Sequence, residues 1–235
     1  MTAATASADI PTLHQTPDLP VDFGYKVNWF AVKANSPQAV ADSLGLGLGM
    51  PSNWTSGIEA AYGRTAGTNK QAYLFLSPSI DGWVFIVGHS LPYPVNHTPD
   101  RHNGIGQKFD HLFKRLYSNF PEVQFFGSYR VVGFVAWARA VNGIPSRVFA
   151  FGDGDVYENL GIQTLEEKQL GFTDLSGLAL REATDRLFSK LGKLPDEDDP
   201  LNIAAAWSIN PGKLSATFKS TSSGLVTKLP KEFAQ

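Results

Sequence analysis

A chain of 235 residues with 43% hydrophobic and 18% charged residues can bury one core without staples, which excludes global disorder. Its net charge of −2 and the lack of any Lys/Arg run disfavour a nucleic-acid partner, which calls for a basic patch. The absence of cysteine excludes disulfides, thiolate nucleophiles, Cys-ligated zinc and iron–sulfur clusters.

Residues 1–22 are rich in Ala, Thr, Asp and Pro without periodicity and predict a flexible arm. They show no basic stretch followed by an apolar one, so no signal peptide is expected. No run approaches the ~18 apolar residues of a membrane span, and a cytosolic protein is expected. Lys26 to Lys33 reads as a strand, rich in aromatic and β-branched residues. Ser36-Pro37 opens a helix carrying Val40, Ala41 and Leu44, and Gly45 closes it. Residues 45–68 read as a loop, with Gly57 to Tyr62 a short element of either type.

Gln71–Leu76 and Trp83–Val87 predict a hairpin across Asp81-Gly82, the second strand apolar enough to be buried on both faces. His89 to Gly106 is a long irregular stretch with three prolines and three histidines. Phe109, Leu112, Phe113, Leu116 and Phe120 then repeat at helical spacing up to Pro121. Val123–Tyr129, Val131–Val141 and Arg147–Phe151 form an antiparallel meander, turning at Asn142-Gly143 and Asp153-Gly154. Thr164 and Glu167 form a capping box for a short helix ending at Gly171. Leu180, Ala183, Leu187 and Leu191 mark another helix, and Asp199-Pro200 starts one carrying Leu201, Ala204 and Trp207. Residues 210–235 are polar and read as a loosely attached tail. Strands and helices do not alternate strictly. The fold class is therefore α+β: a mostly antiparallel twisted sheet, a few packed helices and a short-helix C-terminal extension. The expected division is an arm over 1–22, a main domain over 23–175, and a helical extension with a tail over 176–235 packed on that domain.

Four patterns invite a chemical reading. Gly88-His89-Ser90-Leu91-Pro92 follows a strand as a nucleophile elbow does, but Pro92 replaces the final glycine and Pro94 forbids the helix that would aim N–H groups at an oxyanion. His89, His97, His102 and His111, with Asp100 and Asp110, offer metal-ligand types without the spacing that puts two ligands on one helix face. Gly45-Leu46-Gly47-Leu48-Gly49 closes a helix, whereas a phosphate loop opens one. Gly152-Asp153-Gly154-Asp155 lacks the further oxygen ligands of a calcium loop and is explained by a tight turn. No catalytic residue, cofactor or metal is assigned on this reading.

Asn28-Trp29-Phe30-Ala31-Val32, Pro51-Ser52-Asn53-Trp54 with Gly57-Ile58-Glu59-Ala60-Ala61, Asp81-Gly82-Trp83-Val84 and Ala204-Ala205-Ala206-Trp207-Ser208 are scattered over residues 26–210. In these segments the chain resembles bacterial proteins akin to the immunity proteins of interbacterial type VI and polymorphic toxins. The resemblance implies a cytosolic binding protein, not an enzyme, that neutralises a cognate effector toxin by occluding its active site. It implies no membrane contact and no direct nucleic-acid contact. A nuclease toxin would suit an acidic surface, because its phosphate-binding groove is basic. The partner-facing candidates are Asp153, Asp155 and Glu158, the run Asp196, Glu197, Asp198 and Asp199, and Trp54, a large ring in an expected loop. The alternative is a hydrolase using Ser90 or a metal-dependent enzyme using the histidines of residues 89–111.

Overall fold

The first strand, β1 (Asn28–Lys33), is apolar on both sides, with Trp29 and Ala31 facing one way and Phe30 and Val32 the other. Such a strand must be covered on both faces. The computed structural model, which describes residues 11–63, 71–96, 104–189 and 193–235, shows how. A single nine-stranded antiparallel sheet runs through the molecule and helices lie on both faces. The architecture is α+β. No described helix is long and apolar enough to cross a membrane.

In chain order, β1 is followed by α1 (Pro37–Ser43), β2 (Met50–Asn53), α2 (Trp54–Tyr62), β3 (Tyr73–Leu76), β4 (Trp83–Gly88) and α3 (Ile105–Tyr117). Then come β5 (Glu122–Tyr129), β6 (Phe134–Val141), β7 (Ile144–Gly152), β8 (Asp155–Gly161), α4 (Leu165–Gln169), α5 (Leu180–Leu187), α6 (Asp199–Trp207), α7 (Leu214–Thr217) and β9 (Ser223–Lys228). The sheet order is β2-β9-β3-β4-β1-β5-β6-β7-β8. The β3–β4 hairpin and the β5–β8 meander stand as the turn chemistry predicts, with Asn142 and Asp153 left-handed at their turns.

One face packs Trp29 on Phe126, ring centroids 5.3 Å apart, and buries Trp54, Phe75, Trp137 and Phe149 under α2, α5 and α6. The other sets Phe30, Phe109, Phe113 and Phe125 together under α1 and α3. The periodic apolar face of α3 is buried at Phe109, Leu112, Phe113 and Leu116, as its spacing requires.

The structure differs from the sequence reading at both ends and in the middle. Residues 210–235 are not a loose tail, because β9 lies inside the sheet between β2 and β3, with Leu225 opposite Pro51 on one side and Leu76 on the other. The described part of the arm is tied down. The Asp18 carboxylate accepts from Trp54 N at 2.6 Å and from Thr55 N and Oγ1, and Asp22 accepts from Ser215 N at 2.7 Å. Residues 1–10 lie outside the described residues. The short element of either type is a helix, α2, starting three residues earlier than Gly57. Asn53 caps it by accepting from Ser56 N at 3.0 Å. Gly57 argues against a helix by propensity, yet a Cβ there would sit 2.2 Å from the Phe75 ring, so close packing on β3 selects it.

The predicted capping box at Thr164 is present, and its Glu167 does more than cap. Its carboxylate lies fully inside the protein and forms an ion pair at 2.9 Å with the equally buried Arg147 of β7. It also accepts from Trp137 Nε1 at 3.0 Å. Arg147 Nη1 donates to Asn159 Oδ1 and Leu160 O. A buried pair satisfied this completely fixes α4 and β8 onto β7.

Candidate functional site

Two hollows open at one end of the sheet, on either side of the chain entering β1. That chain is bent unusually. Gly24 has φ +128, and any side chain there would strike Leu201. Lys26 has φ +56, a left-handed conformation that strains a non-glycine residue. Strain of this kind often marks a functional position. Between the two bends stands Tyr25, 44% exposed.

The first hollow is a groove of about 500 Å³ lined by Asp22, Phe23, Tyr25, Ile58, Glu59 and Tyr62. Tyr62 reaches up from α2, donating to Tyr25 O at 3.0 Å and accepting from Gly24 N. Burial pushes its phenol up. The Tyr25 hydroxyl donates to Asp198 at 2.6 Å, and this bond, with burial and the charges of Asp198, Glu197 and Asp196, pushes the phenol up to about 12. The acidic loop before α6 therefore stands directly beside Tyr25.

The second hollow is a cleft of about 290 Å³. Its aromatic side is Tyr93, Tyr129, Phe134 and Tyr157, and its polar groups include Lys26, His89, Ser128 and Asp153. The meander brings these residues to one edge of the sheet, since β5 ends at Tyr129, β6 begins at Phe134 and the β7–β8 turn carries Asp153. Asp153 N donates to Val132 O at 2.9 Å, which locks that turn against the β5–β6 connection. Tyr157 donates its hydroxyl to Asp153 at 3.1 Å. Burial first, then the charge of Asp153, pushes the Tyr157 phenol up, and the same two causes act on Tyr93.

The residues singled out from sequence divide in this setting. Asp153 is exposed where it lines the cleft, Asp155 is exposed at the start of β8, and Glu158 accepts from Asn159 N at 2.9 Å on the same strand. Asp198 bonds Tyr25, Glu197 pairs with Arg130 at 3.5 Å, and Asp196 accepts from Asp198 N. Asp199 is not part of this rim. It is fully buried at the start of α6, where it accepts from Asp196 N at 2.7 Å and bonds Lys193. Burial pushes its carboxyl up, against the pull of Lys193. Trp54 likewise presents no surface. As the first residue of α2 it is fully buried against Phe75, with Nε1 donating to Ser222 Oγ at 3.3 Å.

Ser90 follows β4 in a turn, and residues 91–96 form no helix. Its carbonyl accepts from Gln235 N at 3.1 Å. His89 packs beside Tyr129 in the cleft, whereas His111 lies on α3 beside Phe233. His97, His102 and Asp100 lie outside the described residues. Among the described residues no three His, Asp or Glu side chains converge as a metal site would require.

No family model, curated protein or solved structure matches this chain. The site therefore rests on its own geometry. Sequence reasoning missed Tyr25, Tyr62 and Glu59 of the groove and the tyrosines of the cleft. The one local signal was Tyr25-Lys26 itself, an aromatic and a cation just ahead of an apolar strand.

Proposed function

We propose that this chain is a protein-binding module of the immunity type, which neutralises a basic effector toxin by covering its active site. The observation that carries the reading is the exposed Tyr25, which lines a groove together with the carboxylates of Asp22 and Glu59 and stands beside those of Asp196, Glu197 and Asp198. Tyrosine at the centre of an acidic rim is the composition of a contact surface for a basic partner: the ring supplies the anchor, the rim steers the approach.

Docking by strand addition has little to use. On the β8 edge, Val156 N donates to Thr184 Oγ1 and Tyr157 O accepts from Asn96 N. At the other edge, β2 is four residues long, contains Pro51, and gives its Asn53 N to His14 O. Side chains on a rigid surface remain as the means of contact.

Co-expression with the effector encoded by the neighbouring reading frame tests the reading. Growth restored by the wild-type chain and lost with Tyr25→Ala supports it. Absence of protection by the wild-type chain, with both proteins expressed and folded, overturns it.

A further inference from the structure

We infer that the cleft beside β1 is a binding site for an organic cation of side-chain size, a guanidinium or alkylammonium group held against the row of Tyr93, Phe134 and Tyr157 and paired with Asp153. This stands apart from the groove around Tyr25: the cleft can take a free cation whether or not a protein docks on the groove.

The rings form a continuous row. Tyr93 and Phe134 have centroids 4.7 Å apart, and Phe134 and Tyr157 6.4 Å. Aromatic faces attract cations through their quadrupole, more strongly where water is partly excluded. Phe134 is 5% exposed and forms the apolar floor of the cleft. A carboxylate stands at the end of the row. Asp153 uses Oδ2 to accept from Tyr157, and a carboxylate retains lone pairs for further donors. A row of rings with a carboxylate at its end combines the two attractions by which proteins bind alkylammonium and guanidinium groups.

The local field agrees in sign. Burial first, and then the charge of Asp153, holds the Tyr157 and Tyr93 phenols protonated, with Asp155 adding a smaller push on Tyr157. An anion entering at this side would meet those carboxylates. Lys26 also lines the cleft, but its side chain is exposed, so its ammonium, screened by water, opposes a bound cation only weakly. A volume of about 290 Å³ suits one side-chain-sized group, at the small end of ligand pockets.

Tyrosine ring resonances followed by NMR provide the test, with N-acetyl-arginine methylamide as the cation. N-acetyl-glutamine methylamide is the neutral control and N-acetyl-glutamate methylamide the anionic one. Saturable shifts of Tyr93 and Tyr157 with the arginine probe alone are expected. Asp153→Asn should weaken binding about tenfold, the factor for one charge-assisted hydrogen bond. Asparagine tolerates the left-handed backbone at 153, so this variant keeps its turn. Tyr93→Leu should weaken it by a similar factor, and Lys26→Ala should tighten it. Equal binding of the neutral control overturns the inference, as does an affinity indifferent to Asp153→Asn. Shifts confined to Tyr25 and Tyr62 overturn it too, since they place the cation in the groove. A second arm uses the peptide Gly-Arg-Gly-Arg-Gly. Tighter binding than the free probe assigns the cation to a protein partner, and equal binding to a small molecule; either supports the site.

Discussion

The hydroxyl of Tyr25 donates to the Asp198 carboxylate at 2.6 Å, joining the chain before β1 to the loop before α6 across 173 residues of sequence. The bond holds the phenol proton, pushing its pKa up to about 12 from 10. Below pH 10 the phenol is neutral in both folded and unfolded chains, and the bond's contribution is complete. Between 10 and about 12 the unfolded chain ionises while the folded one keeps its proton, so the contribution shrinks as pH rises and is gone above that window. Ultraviolet difference titration of wild type against Tyr25→Phe should show one tyrosine ionising near the top of the window. Asp198→Asn should bring that ionisation back towards 10. An unmoved titration in Asp198→Asn would remove Asp198 as the cause.

The Arg147–Glu167 pair gives a stability prediction. Both side chains are at most 3% exposed, so removing one leaves the other charged, buried and unpaired. Glu167→Ala should destabilise the fold by about 3–5 kcal/mol. Arg147→Met together with Glu167→Leu should cost clearly less than that single change, because no charge is left stranded. Urea unfolding measures both. A single variant within about 0.5 kcal/mol of wild type would mean that the pair is open to water.

What the sequence showed and hid follows from the range of the interactions. The capping box at Thr164, the α3 stripe from Phe109 to Leu116 and the Asn142-Gly143 and Asp153-Gly154 turns are decided by residues within a few positions, and all stand. Trp54 was misread because Pro51-Ser52-Asn53 has loop composition. Asn53 is a helix cap, and Trp54 is buried by Phe75, which lies 21 positions away. The capping partner Glu167 was visible, but nothing local reveals that Arg147 lies beneath it. The acidic run 196–199 looked uniform, yet the helix it enters turns Asp199 inward and leaves Asp198 to meet Tyr25.

Lys26 tests the strain ahead of β1. A side chain at φ +56 costs about 1–2 kcal/mol, and glycine removes that cost while adding unfolded-state entropy. Lys26→Gly should therefore raise stability by roughly 0.5–1 kcal/mol in urea or thermal unfolding. A neutral or destabilising result would show that the Lys26 side chain makes contacts outweighing the strain.

The position of β9 separates a strand from a tail most sharply. Gly224 faces Ser52 of β2 in the register, and a Cβ built on it would come within 2.2 Å of Leu76 O on the other neighbour, β3. The Phe75 ring stands 2.7 Å away. A backbone carbonyl cannot rotate aside as a side chain does, so the strand itself must shift. Gly224→Ala should then cost about 1–3 kcal/mol, the range for overpacked cores. Ser220, exposed and just ahead of the strand, makes a matched control, and Ser220→Ala should stay within about 0.5 kcal/mol. If residues 210–235 were loosely attached, the two substitutions would be equally silent. A large difference between them would place β9 inside the cooperative unit, and hydrogen exchange at Leu225 and Val226 should then slow to the rate of global unfolding.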